Sequence, residues 1–410
     1  MRGRLLSAIA ALAAAWVLPA SAESIFGRQG LGEWIEAYDL RAEGTGGVAV
    51  AVRDSFPHSQ LNPAAFAFAS RSSGYVSLYP EVRWIRREEA QRGCPEGLDC
   101  GRPGTERQNS GRLGSLHGVV AAGQSVRFAF GLRQATDPSY QTVNTIDGQT
   151  VRKERGTGGL VAYSLGAAWR ARPGLALGIE GGLVAGTMKD IVTFDFAGGT
   201  LDDTRDEIAT RIKNAFCARA GALWTAGRLS LGSFYASAAS GDGERVWRSA
   251  SGLEAKEGFE QELPASAGFG AAWQLAPRVR VAADAVWRGW SGVSSASPDD
   301  GSLPAPEDTW RFAAGLERVG RMSPQAGFGE AIAWRVGAGY DTWPTQSADG
   351  KRVREAALSA GMGLPIARDR GRVEVLVRLG RRSLEETSRP HETVLRIGIG
   401  ATYGSMPRGY

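Results

Sequence analysis

Val279-Arg280-Val281-Ala282-Ala283-Asp284-Ala285-Val286-Trp287-Arg288 carries two different faces in ten residues. Val279, Val281, Ala283, Ala285 and Trp287 share one side of an extended chain. Arg280, Ala282, Asp284, Val286 and Arg288 share the other. Side chains alternate across a strand with period two, so this stretch reads as a strand with one oily and one charged face. The pattern returns at Arg372–Leu379, where Val373, Val375, Val377 and Leu379 alternate with Arg372, Glu374, Leu376 and Arg378. It returns again where Leu395, Ile397, Ile399, Ala401 and Tyr403 alternate with Arg396, Gly398, Gly400 and Thr402. A water-soluble sandwich buries its oily faces, whereas a membrane barrel turns them to lipid. A charge on the lipid face costs roughly 2–4 kcal/mol at the bilayer midplane, so in a barrel the charged faces must look inward.

Working outward, the same alternation predicts an all-β fold: a transmembrane antiparallel β-barrel of about 14 strands. The strands fall at about 72–85, 113–122, 125–136, 158–171, 174–192, 214–225, 228–240, 258–275, 277–292, 308–318, 331–343, 352–365, 371–382 and 392–404. Short turns alternate with long connections. Arg172-Pro173-Gly174, Ala226-Gly227, Ala276-Pro277 and Asp369-Arg370-Gly371 supply the reversals. The connections 86–112, 137–157, 193–213, 241–257 and 293–307 are polar, and 319–330 is a longish link on the short-turn side. With an even strand count and a periplasmic N-terminus, the long connections face outside the cell.

Met1-Arg2-Gly3-Arg4, an apolar run to Leu18 and the small residues Ala20 and Ala22 make 1–22 a signal peptide. Removing Arg2 and Arg4 lowers the formal charge from +5 to +3, which gives no reason to expect a nucleic-acid partner. No later stretch reaches the roughly 18 apolar residues of a spanning helix. Residues 23–71 are glycine-rich and irregular, with a weakly helical stretch between Leu31 and Leu40, and they read as a plug. Residues 72–410 form the barrel. The 56 glycines suit its wall. Cys94 and Cys100, five residues apart in a polar stretch, can close a small loop disulfide in an exported protein. Cys217 reads as a small buried strand residue.

Gly44-Thr45-Gly46-Gly47-Val48-Ala49 followed by Asn62-Pro63-Ala64 resembles the N-terminal hatch of the FadL/TodX family of outer-membrane channels. Leu263-Pro264-Ala265 with Trp287-Arg288-Gly289-Trp290-Ser291 is similar to that family's eighth and ninth strands. Asp308–Ala313 and Trp334–Asp341 resemble the next pair. The resemblance implies a fourteen-stranded barrel closed by a hatch, taking up fatty-acid-like or hydrocarbon ligands and releasing them beside an inward-kinked third strand. It places Ile25, Phe26, Leu31, Trp34, Ile35 and Tyr38 in a ligand pocket, with packing of the plug as the other reading. It places the kink near Gly131, where relief of crowding in the wall is the alternative. Gly46, Gly47, Asn62, Pro63 and Ala64 are hatch motif residues, the last three read as a turn joining hatch to wall. The charged loop 86–112 and the short loop 193–213 depart from the family pattern.

By alternation, Arg127, Arg133, Arg219, Arg280, Arg288, Arg311, Arg335, Arg378 and Arg396 face inward with Glu180, Asp284, Glu317, Asp341, Glu355 and Glu374. Such charges either pair into ladders that stiffen the wall or give a mildly positive lumen for an anionic head group. No nucleophile elbow, phosphate loop or metal-spaced histidine set appears, so no catalytic residue, metal or cofactor is expected. Asp202-Asp203 with Asp206-Glu207 reads as a solvated loop, weak divalent-cation binding being the alternative. The expected function is passive uptake of hydrophobic or amphipathic small molecules by a monomeric barrel among lipid and lipopolysaccharide. A structural barrel that anchors other surface proteins is the alternative.

Overall fold

A strand in a membrane needs hydrogen-bond partners on both edges, and this chain supplies them by closing its sheet on itself. The computed structural model describes residues 24, 26, 30–87, 104–146, 150–196, 204–293, 305–321, 327–346, 351–366, 370–385 and 391–405. The segment read as a signal peptide, Ile25, Cys94 and Cys100 lie outside these residues.

Fourteen antiparallel strands, three of them interrupted, make the closed wall. They are β1 (Ser73–Arg87), β2 (Gly104–Ala122), β3 (Val126–Gln134 and Tyr140–Ile146), β4 (Thr150–Arg172) and β5 (Leu175–Phe196). β6 (Thr204–Ala226), β7 (Leu229–Ala236 and Ala239–Arg248), β8 (Glu254–Leu263 and Ser266–Ala276), β9 (Val279–Arg288) and β10 (Thr309–Arg318) follow. β11 (Ala333–Gln346), β12 (Arg352–Ile366), β13 (Gly371–Leu384) and β14 (His391–Gly404) complete the round. β14 pairs with β1, Leu395 opposite Val82 and Tyr403 opposite Gly74, so no edge is left at the seam of first and last strand.

The faces are inverted relative to a soluble protein. Leu165 (72% exposed), Ile179, Phe216, Phe269, Leu358 and Leu379 point out of the wall. Arg335 and Glu374 are buried inside it at 2% and 1%. In β13, Arg372, Glu374, Leu376 and Arg378 are buried while Val377 and Leu379 are exposed, so the period-two reading fixes the inward side correctly. An apolar exterior on a closed barrel belongs in a bilayer, and such barrels are those of the bacterial outer membrane.

Several polar connections turn out to be strand. Gly104–Arg112, 150–157, Thr204–Lys213, 241–248 and 254–257 continue the ladders well past the apolar band. Above the membrane both faces of a strand meet water, so the alternation vanishes although the backbone pairing persists. β9 ends at Arg288, short of the expected 292, and the chain enters a 3-10 turn at Trp290–Gly292. In the link after β10, Phe328–Ala331 forms a single helical turn.

The N-terminal segment is not helical between Leu31 and Leu40. Glu33–Trp34 is extended and pairs with Thr136–Asp137, whose backbone offers better partners than a short isolated helix would find. The helix α1 comes later, at Leu40–Gly44, where Asp39 caps it by accepting from the Ala42 N–H at 2.8 Å.

Placing a charge on the outer face tests the inversion. Leu165→Arg in β4 is expected to destabilise the barrel by roughly 2–4 kcal/mol if it sits at mid-bilayer. Urea titration in lipid vesicles reads this directly; an unchanged midpoint would place Leu165 away from hydrocarbon.

Candidate functional site: the closed lumen and the seam beside it

The N-terminal segment reaches every strand of the wall, which only a chain inside the barrel can do. Leu40 N–H donates to the Tyr75 hydroxyl of β1, and His58 meets His117 of β2. Arg170 of β4 donates to the Ala67 carbonyl, and Arg372 of β13 pairs with Asp54. Glycines line most of the remaining approach. A side chain at Gly178, Gly232, Gly315 or Gly337 would overlap the backbone of Pro63, Val50 or Thr45, and one at Gly361 or Gly398 would crowd Gly44 or Leu40. The wall is glycine-rich on its inner face because another backbone lies directly against it.

Asp284 anchors the centre of this contact. Its carboxylate accepts from the Ala49 and Val50 N–H groups at 2.6 and 2.8 Å. The preceding turn needs Gly46 and Gly47, which adopt φ of 82° and 101° and leave no room for a side chain beside Ala338 and Arg311. Arg311 closes the turn by donating to the Gly46 carbonyl at 2.9 Å. Asn62-Pro63-Ala64 is part of this fit. The Asn62 amide donates to the carbonyls of Val50 (2.7 Å) and Ala222 (3.1 Å), and its oxygen accepts from Ala64 N–H as the cap of the Pro63–Phe68 turn.

The inward charges pair with one another and with the segment they enclose. Near the short-turn end, Arg41 binds Asp54 at 2.8 Å and Glu317 at 2.8 Å. Glu317 also meets Arg280 and Arg335, the latter at 2.8 Å. Arg335 and Arg372 share Glu374 at 3.0 and 2.7 Å. Burial raises the Asp54 carboxyl, but Arg372 and Arg41 outweigh it and hold its pKa at about 2. Toward the long-loop end Arg288 pairs with Glu36, Arg311 with Asp341 at 2.7 Å, and Arg378 with Glu355. Arg396 pairs with Glu81 at 2.7 Å. A buried pair that loses one partner is destabilised by about 3–5 kcal/mol, so Arg41–Glu317, Asp54–Arg372 and Glu36–Arg288 fasten the segment to the wall.

The space between segment and wall includes cavities of about 30 Å³ and about 80 Å³. The larger one touches Trp34, Ile35 and Tyr38, three of the six residues the resemblance put in a ligand pocket. Trp290 meets Trp34 edge to face at 5.6 Å, and Arg288, Arg378 and Arg396 also face the space. Phe26 instead packs on Trp343 and Val353, and Leu31 joins Trp34 against a cluster containing Leu160 and Ile212. The cavity is therefore lined by aromatic rings and charges together.

The third strand leaves the wall, but not at Gly131. The ladder runs through Gly131, opposite His117 and Ser164, and the break comes at 135–139. Gly131 is small because Gln60 and His117 press against it. Thr136–Asp137 folds inward onto Glu33–Trp34, and Ile35 N–H donates to the Ala135 carbonyl at 2.9 Å. Among the described residues the β2–β3 ladder stops at Ser115–Arg133, which leaves a seam above it between Gly104–Gly114 and Tyr140–Ile146. The sequence signal for this break was Gly156, Gly158 and Gly159 of β4, where side chains would overlap Pro138, Thr187 and Thr136. Pro138, lacking an N–H, stands at the infold itself.

Elsewhere, Cys217 is half-buried against the Leu160 cluster. Asp206 and Glu207 lie in β6 rather than a loop; Glu207 meets Lys189 at 3.1 Å, and Asp206 accepts from Ala250 N–H.

With this geometry in place, comparisons locate the fold. A FadL homologue of Pseudomonas aeruginosa shares 16% identity at a TM-score of 0.55, over 95% of this chain and 99% of that one. The toluene transporter TodX of Pseudomonas putida shares 15% identity at 0.59, over 91% and 100%. The Ralstonia pickettii toluene transporter TbuX shares 13% at 0.57, over 90% and 98%. The fold is that of FadL/TodX-like channels, as the sequence resemblance suggested. No family model and no curated sequence matches the chain.

Two outcomes follow for reconstituted barrels. Gly337→Val is expected to push Thr45–Gly46 off the wall and raise small-ion conductance in planar bilayers; unchanged conductance would show that the contact does not seal the lumen. The second concerns His58, whose Nδ1 lies 3.0 Å from that of His117 and whose ring stacks on Tyr75, with Ser73, Asp54 and Arg372 also facing it. Burial, and then His117, hold its pKa well below the ordinary value. A released His58 therefore takes up a proton more readily than a docked one, so docking weakens as pH falls through about 6.5. Leak should rise between about pH 7 and pH 5, and His58→Gln should flatten that rise. Parallel pH profiles for both proteins would refute the assignment.

Proposed function

We propose that this chain is an outer-membrane channel for passive uptake of hydrophobic or amphipathic small molecules, fatty-acid-like or hydrocarbon in character. In this reading 1–22 is the signal peptide, 23–71 the hatch and 72–410 the barrel, working as a monomer among lipid and lipopolysaccharide. The observation that carries it is the coupling of hatch to seam. Glu33–Trp34 pairs with Thr136–Asp137, the part of β3 that has left the wall. A ligand that displaces the hatch arm also loosens the infold, at the lower end of the seam, where Leu113 and Leu116 are exposed on the outer face. The aromatic rings around the larger cavity suit such a ligand. The toluene transporters that share the fold have names in keeping with this substrate class.

The charge-filled lumen favours a second reading, a structural barrel that anchors other surface proteins. The many buried ion pairs are what a rigid scaffold would want.

Tying the arm down separates the two. The double variant Trp34→Cys/Thr136→Cys places cysteines at paired positions. In vesicles offered labelled toluene, octane and decanoate, the channel reading predicts uptake that falls on oxidation and returns on reduction. Uptake equal to protein-free vesicles in every state would favour the scaffold.

A further inference from the structure

Glu33 is held by three arginines of the wall. Its Oε1 accepts from Arg382 at 2.7 Å and Arg396 at 3.2 Å, and its Oε2 from Arg83 at 2.9 Å and Arg382 at 3.1 Å. All three arginines are buried, Arg382 completely. The wall brings its own acids to this cluster. Glu81 binds Arg83 and Arg396, Glu355 binds Arg382 at 2.6 Å, and Glu392 meets Arg382 at 3.4 Å. Those acids are fixed on β1, β12 and β14, whereas Glu33 comes from the hatch arm. Two further arginines, Arg112 and Arg378, stand beside the same space.

The consequence is chemical. An arginine has only donors, and a buried guanidinium that loses its acceptor is strongly destabilised. With Glu33 gone, five arginines (Arg83, Arg112, Arg378, Arg382 and Arg396) face the three wall acids Glu81, Glu355 and Glu392; another anion makes good the lost carboxylate, and a neutral head group does not. Such an anion has a route, because Glu33, Arg378 and Arg396 line the larger cavity together with Trp34, Trp290 and Trp343. An amphiphile whose apolar part lies against those rings brings its head group beside the cradle.

We propose that Arg83, Arg382 and Arg396 form a binding site for the carboxylate head group of an amphiphile, occupied at rest by Glu33 as an internal surrogate. Exchange of one carboxylate for the other releases Glu33–Trp34 from the wall, and with it the infolded Thr136–Asp137 beside the seam. The site therefore opens the hatch for anionic amphiphiles and not for neutral ones of the same length. This rests on the channel reading and adds to it a residue, a site and a ligand charge.

Hydrogen exchange on the intact barrel in nanodiscs tests it, with decanoate as probe and decanol as neutral control. Decanoate should speed exchange of the amides at 33–37 and 135–139 by at least about fivefold, and decanol should not. Glu33→Gln should exchange quickly at both segments without any probe and respond to neither. Should that variant misfold, the wild-type comparison decides alone. Equal effects of decanoate and decanol, or decanoate binding by tryptophan quenching with both segments still protected, would overturn the latch while leaving the channel reading intact. Head-group-selective exchange without protein-dependent uptake would instead sink the channel reading and keep the latch.

Discussion

Charges enclosed by a hydrocarbon-facing wall must find partners inside, and the rest of this structure depends on that constraint. Arg280, Arg335 and Arg372 cannot reach water across the outer face, which is covered by Leu, Phe, Trp and Ile. They pair with Glu317 and Glu374, and the enclosed segment adds Asp54, which binds Arg372, and Arg41, which binds Glu317 and Asp54. The enclosed segment therefore does more than fill space. It completes an ion-pair set that the wall leaves unfinished, and this fixes its position.

Shape follows from the same arrangement. Where ion pairs hold the enclosed chain against the wall, its backbone needs room, and Gly178, Gly232, Gly315 and Gly337 provide it. Gly46 and Gly47 then let the segment turn between Ala338 and Arg311 so that Asp284 can take its two N–H groups. At one place the fit involves the wall itself. β3 leaves the sheet and joins Glu33–Trp34, so wall and hatch share hydrogen bonds at the very point where the barrel has a seam. The same backbone pairing joins the arm that fills the lumen to the strand that leaves the wall.

Much of this was legible in the residues. The strands around Val279–Arg288 and Val373–Leu379 announce their faces because lipid demands an unbroken oily side. Every inward arginine and acid inferred there is buried or nearly so in the fold, down to Arg127 and Glu180. The strand extensions beyond the bilayer were not legible, since water on both faces erases the alternation that marks a strand. Nor was the break at 135–139. Its signal, three glycines and a proline on adjacent strands, means something only once β3 and β4 are known to lie side by side. Glu33 was missed for a similar reason: its partners lie more than 300 residues away at Arg382 and Arg396, and 50 away at Arg83.

Everything in this fold depends on which side of the wall meets lipid. Spin labels placed one at a time at positions 373–380 of β13, in vesicles, report collision with dissolved oxygen, which concentrates in hydrocarbon. Oxygen accessibility should be high at 373, 375, 377 and 379 and low at 374, 376, 378 and 380. Uniform accessibility, or the opposite phase, would contradict this orientation.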